Sequence, residues 1–292
     1  MTFTDSKQNE KNRVLKGVLY LVATPIGNLA DISERATKVL SEVDFIAAED
    51  TRNSMRLLTH FGIHKPMVSY FEHNKAERGV QIIERLKNGE SCALITDAGM
   101  PAISDPGEDL VRLCANENIP VTAIPGACAA ITALTLSALP TGRFTFEGFL
   151  PAAKSERKRA LDELSGETRT MIFHEAPHKL KLTLEDMANA FGGDRPISLC
   201  RELTKLNEDI FRTTLASAVE YYKENEPRGE FVLVVKGSDN KKSDVFWEAL
   251  SVEDHVRVYM ERGLSKNDAI KSAAKDRKVP KNEVYQAVLN IK

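Results

Sequence analysis

At 292 residues, with 42% hydrophobic and 28% charged side chains and a net charge of −2, the chain has the composition of a soluble protein long enough for two cores, and its overall charge makes no case for nucleic-acid binding by the whole chain. The longest weakly polar run, Ala127 to Leu139, is too short and too rich in Thr and Ser to cross about 30 Å of bilayer, so no membrane association is expected. The four cysteines, Cys92, Cys114, Cys128 and Cys200, lie in apolar surroundings without C-x-x-C spacing, which favours reduced core thiols in a cytoplasmic protein over disulfides or a metal site.

In chain order, residues 1–16 are polar and read as a disordered leader rather than a targeting segment. Strand-length apolar runs follow at Val18 to Ala23, Phe45 to Ala48, Met67 to Tyr70, Cys92 to Ile95 and Val121 to Ile124. Segments of helical period lie between them at Ile32 to Leu40, Met55 to Phe61, Val80 to Leu86 and Leu110 to Ala115. This alternation predicts an α/β domain over 17–126. Ala127 to Leu139 then reads as a buried helix leading into a second strand set: Phe144 to Leu150, Thr170 to Phe173, Ile197 to Cys200, Ile210 to Thr213 and Phe231 to Val235. Helices at Glu156 to Leu164, Leu180 to Phe191 and Leu215 to Tyr222 separate most of them, so a second α/β or α+β domain is expected over 127–237.

Gly237 to Ser243 is a polar linker. Beyond it the sequence predicts three helices, Asp244 to Arg262, Lys266 to Arg277 and Lys281 to Ile291, forming a module over 244–292. Ser265-Lys266-Asn267-Asp268 matches a capping box, and Val279-Pro280 stops the second helix before the third. From residue 256 to the end there are nine Lys or Arg against four acids, a net of +5. Two short helices carrying such charge are compatible with a helix-turn-helix nucleic-acid module, and equally with a solvated helical appendage or a dimerisation arm.

The loop from Asp97 to Gly107 follows a predicted strand, and four of its eleven residues are Gly or Pro. Ligands of α/β proteins bind beyond the carboxyl ends of strands, so this loop is a candidate site as well as a candidate turn. His174-Glu175-Ala176-Pro177-His178 has the letters of a zinc-protease motif, but that chemistry needs both histidines on one continuous helix. Pro177 can start a helix and cannot sit inside one; the segment reads as a strand end turning into a helix, with Glu175 facing the same kind of cleft as Asp97. Neither G-x-G-x-x-G nor G-x-x-x-x-G-K-[ST] occurs, which argues against a nicotinamide or ATP site. Polar clusters also follow other strands, at Glu49-Asp50-Thr51-Arg52, Glu72-His73-Asn74-Lys75 and Arg201-Glu202-Leu203-Thr204-Lys205. Their recurrence suggests one long polar cleft with Arg52, Arg201 and Lys205 available to an anionic substrate.

Five segments together resemble a known family. They are Thr24 to Ile32, Ala48 to Arg52, Asp97 to Pro101 with Ser104 to Gly107, Pro125 to Ala130, and Arg201 to Lys205, and they look like the ribosomal RNA small-subunit methyltransferase I group of the tetrapyrrole methylase superfamily. The resemblance spans about residues 17–290. It implies two α/β domains with a cofactor cleft between them, S-adenosylmethionine as cofactor, a homodimer, and 2′-O-methylation of a cytidine in the decoding region of 16S ribosomal RNA. Carried over by motif, cofactor contacts fall on Pro25, Asp97, Ala98, Gly99, Ser104, Cys128, Ala129, Glu175, Leu203 and Glu230. For the ribose proton, Lys205, Glu202 and Asp50 are the leading candidates, a lysine of lowered pKa or a carboxylate being the chemistry required; Asp105 and Glu175 are further ones. Arg52 and Arg201, with Lys266, Lys271 and Lys275 of the tail, are expected to meet RNA. The tetrapyrrole enzymes carry G-x-G-P-G-D in the first loop and G-D-P in the third, where this chain has Thr24-Pro25-Ile26-Gly27-Asn28 and Asp97-Ala98-Gly99-Met100-Pro101.

Overall fold

The computed structural model describes residues 12–239, 247 and 250–289. The expected leader therefore lies mostly outside the described residues. Five strands, β1 (Leu19–Val22), β2 (Phe45–Ala48), β3 (Met67–Ser69), β4 (Cys92–Ile95) and β5 (Val121–Ile124), form a parallel sheet in the order β3-β2-β4-β1-β5. Helices α1 (Glu34–Glu42), α2 (Thr51–His60), α3 (Lys75–Lys87) and α4 (Gly107–Asn116) connect them. Every residue of β1, β2 and β4 is buried, because helices cover both faces; that is why these strands read as unbroken apolar runs rather than alternating ones. One face packs on Val39, Leu40 and Leu58 and the other on Ile82, Leu86 and Leu110.

Helix α2 begins at Thr51, four residues before its apolar period. The Asp50 carboxylate accepts the Arg52 amide at 2.8 Å and so caps it, as acceptor side chains do at helix starts. The strand order places the loops after β1 and β4 side by side.

The second sheet is mixed. After α5 (Ala129–Leu136) come β6 (Phe144–Phe149), α6 (Lys154–Leu164), β7 (Thr170–Glu175), α7 (Pro177–Phe191), β8 (Pro196–Arg201), β9 (Asp209–Thr214), α8 (Leu215–Glu224) and β10 (Phe231–Val235). The order is β6-β7-β10-β8-β9, with β6 and β7 parallel and the remaining pairs antiparallel. α5 packs on one face through Ala130, Ala133 and Leu134, and α6, α7 and α8 cover the other. α7 starts at Pro177 directly after β7, the geometry the proline requires. Both sheets belong to one compact unit that ends at Gly237.

From Ser238 a second unit follows. Its helices α9 (Val252–Glu261), α10 (Lys266–Arg277) and α11 (Lys281–Ala287) enclose Val256, Ile270, Ala273 and Val284. The Ser265 hydroxyl accepts the Asp268 amide at 3.3 Å, capping α10 where the sequence places it. α9 begins at Val252, where Ser251 accepts the Asp254 amide at 3.0 Å and caps it; the expected start at Asp244 lies outside the described residues. Residues 240–246, 248 and 249 lie outside the described residues. Among the described residues no helix is long and apolar enough to cross a membrane.

Candidate active site

A cavity of about 630 Å³ is lined from both sheets of the first unit. Ile26 from the β1 loop, Glu49 from the end of β2 and the loop after β4 form one wall; Cys128 to Ala130, β6 and the ends of β7, β8 and β10 form the other. The wall is largely apolar but carries five carboxylates, Glu49, Asp97, Asp105, Glu175 and Glu230, against one lysine, Lys205.

The loops after β1 and β4 are fastened to each other. Thr24 and Gly99 exchange backbone hydrogen bonds of 3.0 and 3.1 Å, and the Thr24 hydroxyl donates to the Thr96 carbonyl. Gly99 has φ +84, and a Cβ there would come within 3.2 Å of Ile26, so only glycine lets the two loops meet without strain. Beyond it, Ala102 and Ser104 are both left-handed, at φ 67 and 59. The Asp105 carboxylate holds that shape by accepting the amides of Ala102, Ile103 and Gly107 at 3.1, 3.2 and 2.7 Å. Asp97 accepts from the Asn53 side chain at 3.2 Å.

On the opposite wall, Glu175 is buried; it accepts the Ala176 amide at 2.8 Å and the Thr183 hydroxyl. Lys205 Nζ donates to Glu202 Oε1 and to Glu230 Oε2, both at 2.9 Å. Burial opposes its charge, but the two carboxylates outweigh that and hold the ammonium above its ordinary pKa. Lys205 and the Glu230 amide together hold the Glu202 carboxyl below its usual range. Glu202 and Thr204 are left-handed non-glycine residues, a form of strain that clusters at functional sites.

Glu49 differs from the other four acids. It carries no hydrogen bond or ion pair among the described residues. Desolvation, followed by the nearby charges of Asp97, Asp105 and Asp50, pushes its carboxyl above the usual range.

The tetrapyrrole (corrin/porphyrin) methylase family matches residues 18–219. The chain belongs to that family. It is 50% identical over 282 residues to the ribosomal RNA small subunit methyltransferase I of Halalkalibacterium halodurans, covering 96% of this chain and 97% of that one. With the protein of the same name from Bacillus subtilis it shares 48% identity over 93% of this chain and 94% of the other. Among solved structures, a diphthine synthase aligns over 75% of this chain and 89% of its own, with TM-score 0.58 and 15% identity. A Thermus thermophilus uroporphyrin-III C-methyltransferase complexed with S-adenyl homocysteine covers 75% of this chain and 96% of its own, with TM-score 0.52 and 16% identity. These two likenesses concern the fold alone.

In this tetrapyrrole methylase the cavity brings together Asp97, Ala98, Gly99, Ser104, Cys128, Ala129, Glu175, Leu203, Lys205 and Glu230 from the expected set. Others lie elsewhere. Pro25 lines a smaller pocket of about 190 Å³ beside Asn53 and Asp97. Asp50 is committed to capping α2 and to Arg52, whose side chain is 89% exposed, so neither belongs to the cavity wall. Glu202 and Arg201 are also outside the lining, Glu202 reaching the site only through its 2.9 Å contact with Lys205. The expectation of a lysine of lowered pKa is corrected, since Lys205 is held charged. Lys266, Lys271 and Lys275 are on α10 of the second unit, where Lys271 and Lys275 are exposed one turn apart, opposite buried Ala269 and Ala273.

Sequence reasoning missed Glu49, Phe146 and Phe149. Glu49 stands in one of the polar clusters that follow strands, but which of two adjacent acids turns inward depends on where β2 ends. Among the described residues no group of three His, Cys, Asp or Glu side chains could hold a metal ion.

Proposed function

We propose that this methylase uses S-adenosylmethionine to methylate the 2′-oxygen of a cytidine ribose in the decoding region of 16S ribosomal RNA. The observation that carries the reading is the near full-length likeness to relatives whose name states the small-subunit RNA as their substrate. The donor set of the cavity fits the cofactor: an apolar wall with five carboxylates and one paired lysine suits a cationic sulfonium and ammonium. It does not suit the many carboxylates of a porphyrin precursor.

Ile26, Met100, Leu203 and Val232, with the backbone from Asp97 to Gly99, would hold the cofactor, which supplies an activated methyl group on sulfur. In the transfer, the ribose oxygen bonds to the methyl carbon, the carbon–sulfur pair stays on sulfur, and the 2′-hydroxyl proton must leave. Glu49 takes that proton, being the cavity carboxylate with no other partner among the described residues and with raised basicity; Lys205 is already protonated and Glu202 already paired. The rest of the acceleration comes from positioning. The second unit meets RNA through Lys266, Lys271 and Lys275, as backbone contacts that carry no sequence information. A homodimer acting in the cytoplasm belongs to the same reading, on the strength of the family resemblance.

Incubation of unmethylated small ribosomal subunits, and separately of naked 16S RNA, with the protein and methyl-labelled S-adenosylmethionine tests this. Mass spectrometry of the digested RNA is expected to find one methyl group on the ribose of a cytidine. Label on a base, or on no RNA, overturns it.

A further inference from the structure

A bulge in β6 re-aims one aromatic ring, and packing leaves that ring uncovered. In a regular strand, residues three apart point to opposite faces. Between Phe146 and Gly148 the pairing of β6 with β7 slips by one residue, with Glu147 as the extra one. Gly148 adopts φ +63 at the slip. A Cβ there would make only ordinary contact, 3.5 Å from Ser104 Oγ; it is the left-handed conformation of the bulge, not crowding, that calls for glycine.

The slip puts Phe146 and Phe149 on the same face. Both rings stand edge-on to His174, with centroids 5.2 and 5.5 Å away. Phe146 is absorbed into the packing beneath α5. Phe149 is 63% exposed although its ring lines the cavity, so it presents apolar surface to water where a bound partner could cover it. His174, which braces both rings, has its imidazole pKa lowered by burial, and its Nε2 is buried with no hydrogen-bond partner among the described residues.

We propose that Phe149, braced by His174, is the platform on which the target nucleobase of the RNA stacks as its nucleotide enters the cleft. The inference rests on the RNA reading above. Two observations select a base. The acid-rich cavity repels phosphate, so an entering nucleotide leads with its uncharged ring, and base recognition in single strands runs through stacking on such side chains. Phe149 also lies on the same wall as Glu175 and Lys205, within the cavity where the ribose is to be methylated.

The test compares wild type, Phe149→Ala and Phe149→Trp in methyl transfer from labelled S-adenosylmethionine to unmethylated small ribosomal subunits, with cofactor affinity measured by isothermal titration. Loss of one stacked base lowers kcat/KM by about 5- to 150-fold in Phe149→Ala. Phe149→Trp is expected within a few-fold of wild type, and cofactor affinity within twofold for both variants. Wild-type kcat/KM in Phe149→Ala overturns the platform, and so does a parallel loss of cofactor affinity, which would assign the ring to the cofactor. If the wild-type protein itself transfers no label to the RNA, the RNA reading fails and the nucleobase assignment falls with it.

Discussion

Gly27 lies so close to Lys205 that a Cβ added to it would come within 2.4 Å of the lysine Cγ, and within 3.1 Å of the Leu203 carbonyl. The β1 loop and the segment after β8 are therefore in direct contact, and the lysine that bridges Glu202 and Glu230 is positioned by a residue from the other sheet. Gly27→Ala forces the segment away, as overpacking does, at about 1–3 kcal/mol. Cofactor affinity and kcat are expected to fall together, while far-ultraviolet circular dichroism stays unchanged. Wild-type affinity in this variant would mean that the contact does not shape the site.

Asp105 bears the conformation of its loop. Removing the carboxylate in Asp105→Ala leaves the amides of Ala102, Ile103 and Gly107 without their acceptor, and releases two strained left-handed residues. Charge-assisted hydrogen bonds of this kind imply a loss of about 2 kcal/mol in urea unfolding. Hydrogen exchange should accelerate at those three amides first; uniform acceleration across the sheet would point to a global effect instead.

Glu49→Gln separates binding from chemistry. If Glu49 accepts the ribose proton, kcat falls by about 10²- to 10⁴-fold while cofactor affinity stays close to wild type. The folded-state pKa of Glu49 is raised, so the wild-type rate declines as pH falls through that raised value, and this acid limb should be missing from the residual activity of the variant. An acid limb retained unchanged in Glu49→Gln would assign it to another group.

Lys205 is held as an ammonium by Glu202 and Glu230, with its pKa above the ordinary value of about 10.5. Its charge, and the stability it contributes, are present below that value and are lost only as pH rises through the raised one. The rate of wild-type enzyme should therefore show no rise between pH 7 and 9 that Lys205→Arg abolishes. Such a rise would revive the lysine as a base.

The second unit's role is read by salt. Replacing Lys266, Lys271 and Lys275 together by Ala should reduce the slope of log affinity for RNA against log salt by about 2 to 3, at roughly 0.7–0.9 for each phosphate no longer neutralised. Cofactor affinity should not change. An unaltered slope would remove α10 from the RNA-binding surface.

Element order, the strand at Thr170 and a helix beginning no earlier than Pro177 are legible in the chain, because they follow from local rules: apolar period, caps, and a proline that can start a helix but not continue one. The apolar period alone places that helix from Leu180, three residues late. The loop after β4 and Glu175 are legible as strand ends facing a cleft, whereas Cys128 and Leu203 come from the motifs of the family resemblance and not from a local rule; all of them line the cavity. Which charge faces inward depends instead on packing. Asp50 and Glu49 are adjacent in the chain, and only the end of β2 and the start of α2 commit Asp50 to a cap and leave Glu49 in the cavity. Lys205 reads as a possible base until Glu202 and Glu230, 28 residues apart in the chain, are seen to share its ammonium. Phe149 depends on a one-residue slip against β7. Pairing partners across a sheet set side-chain direction and ionisation, and they are distant in sequence, so no local pattern could carry them.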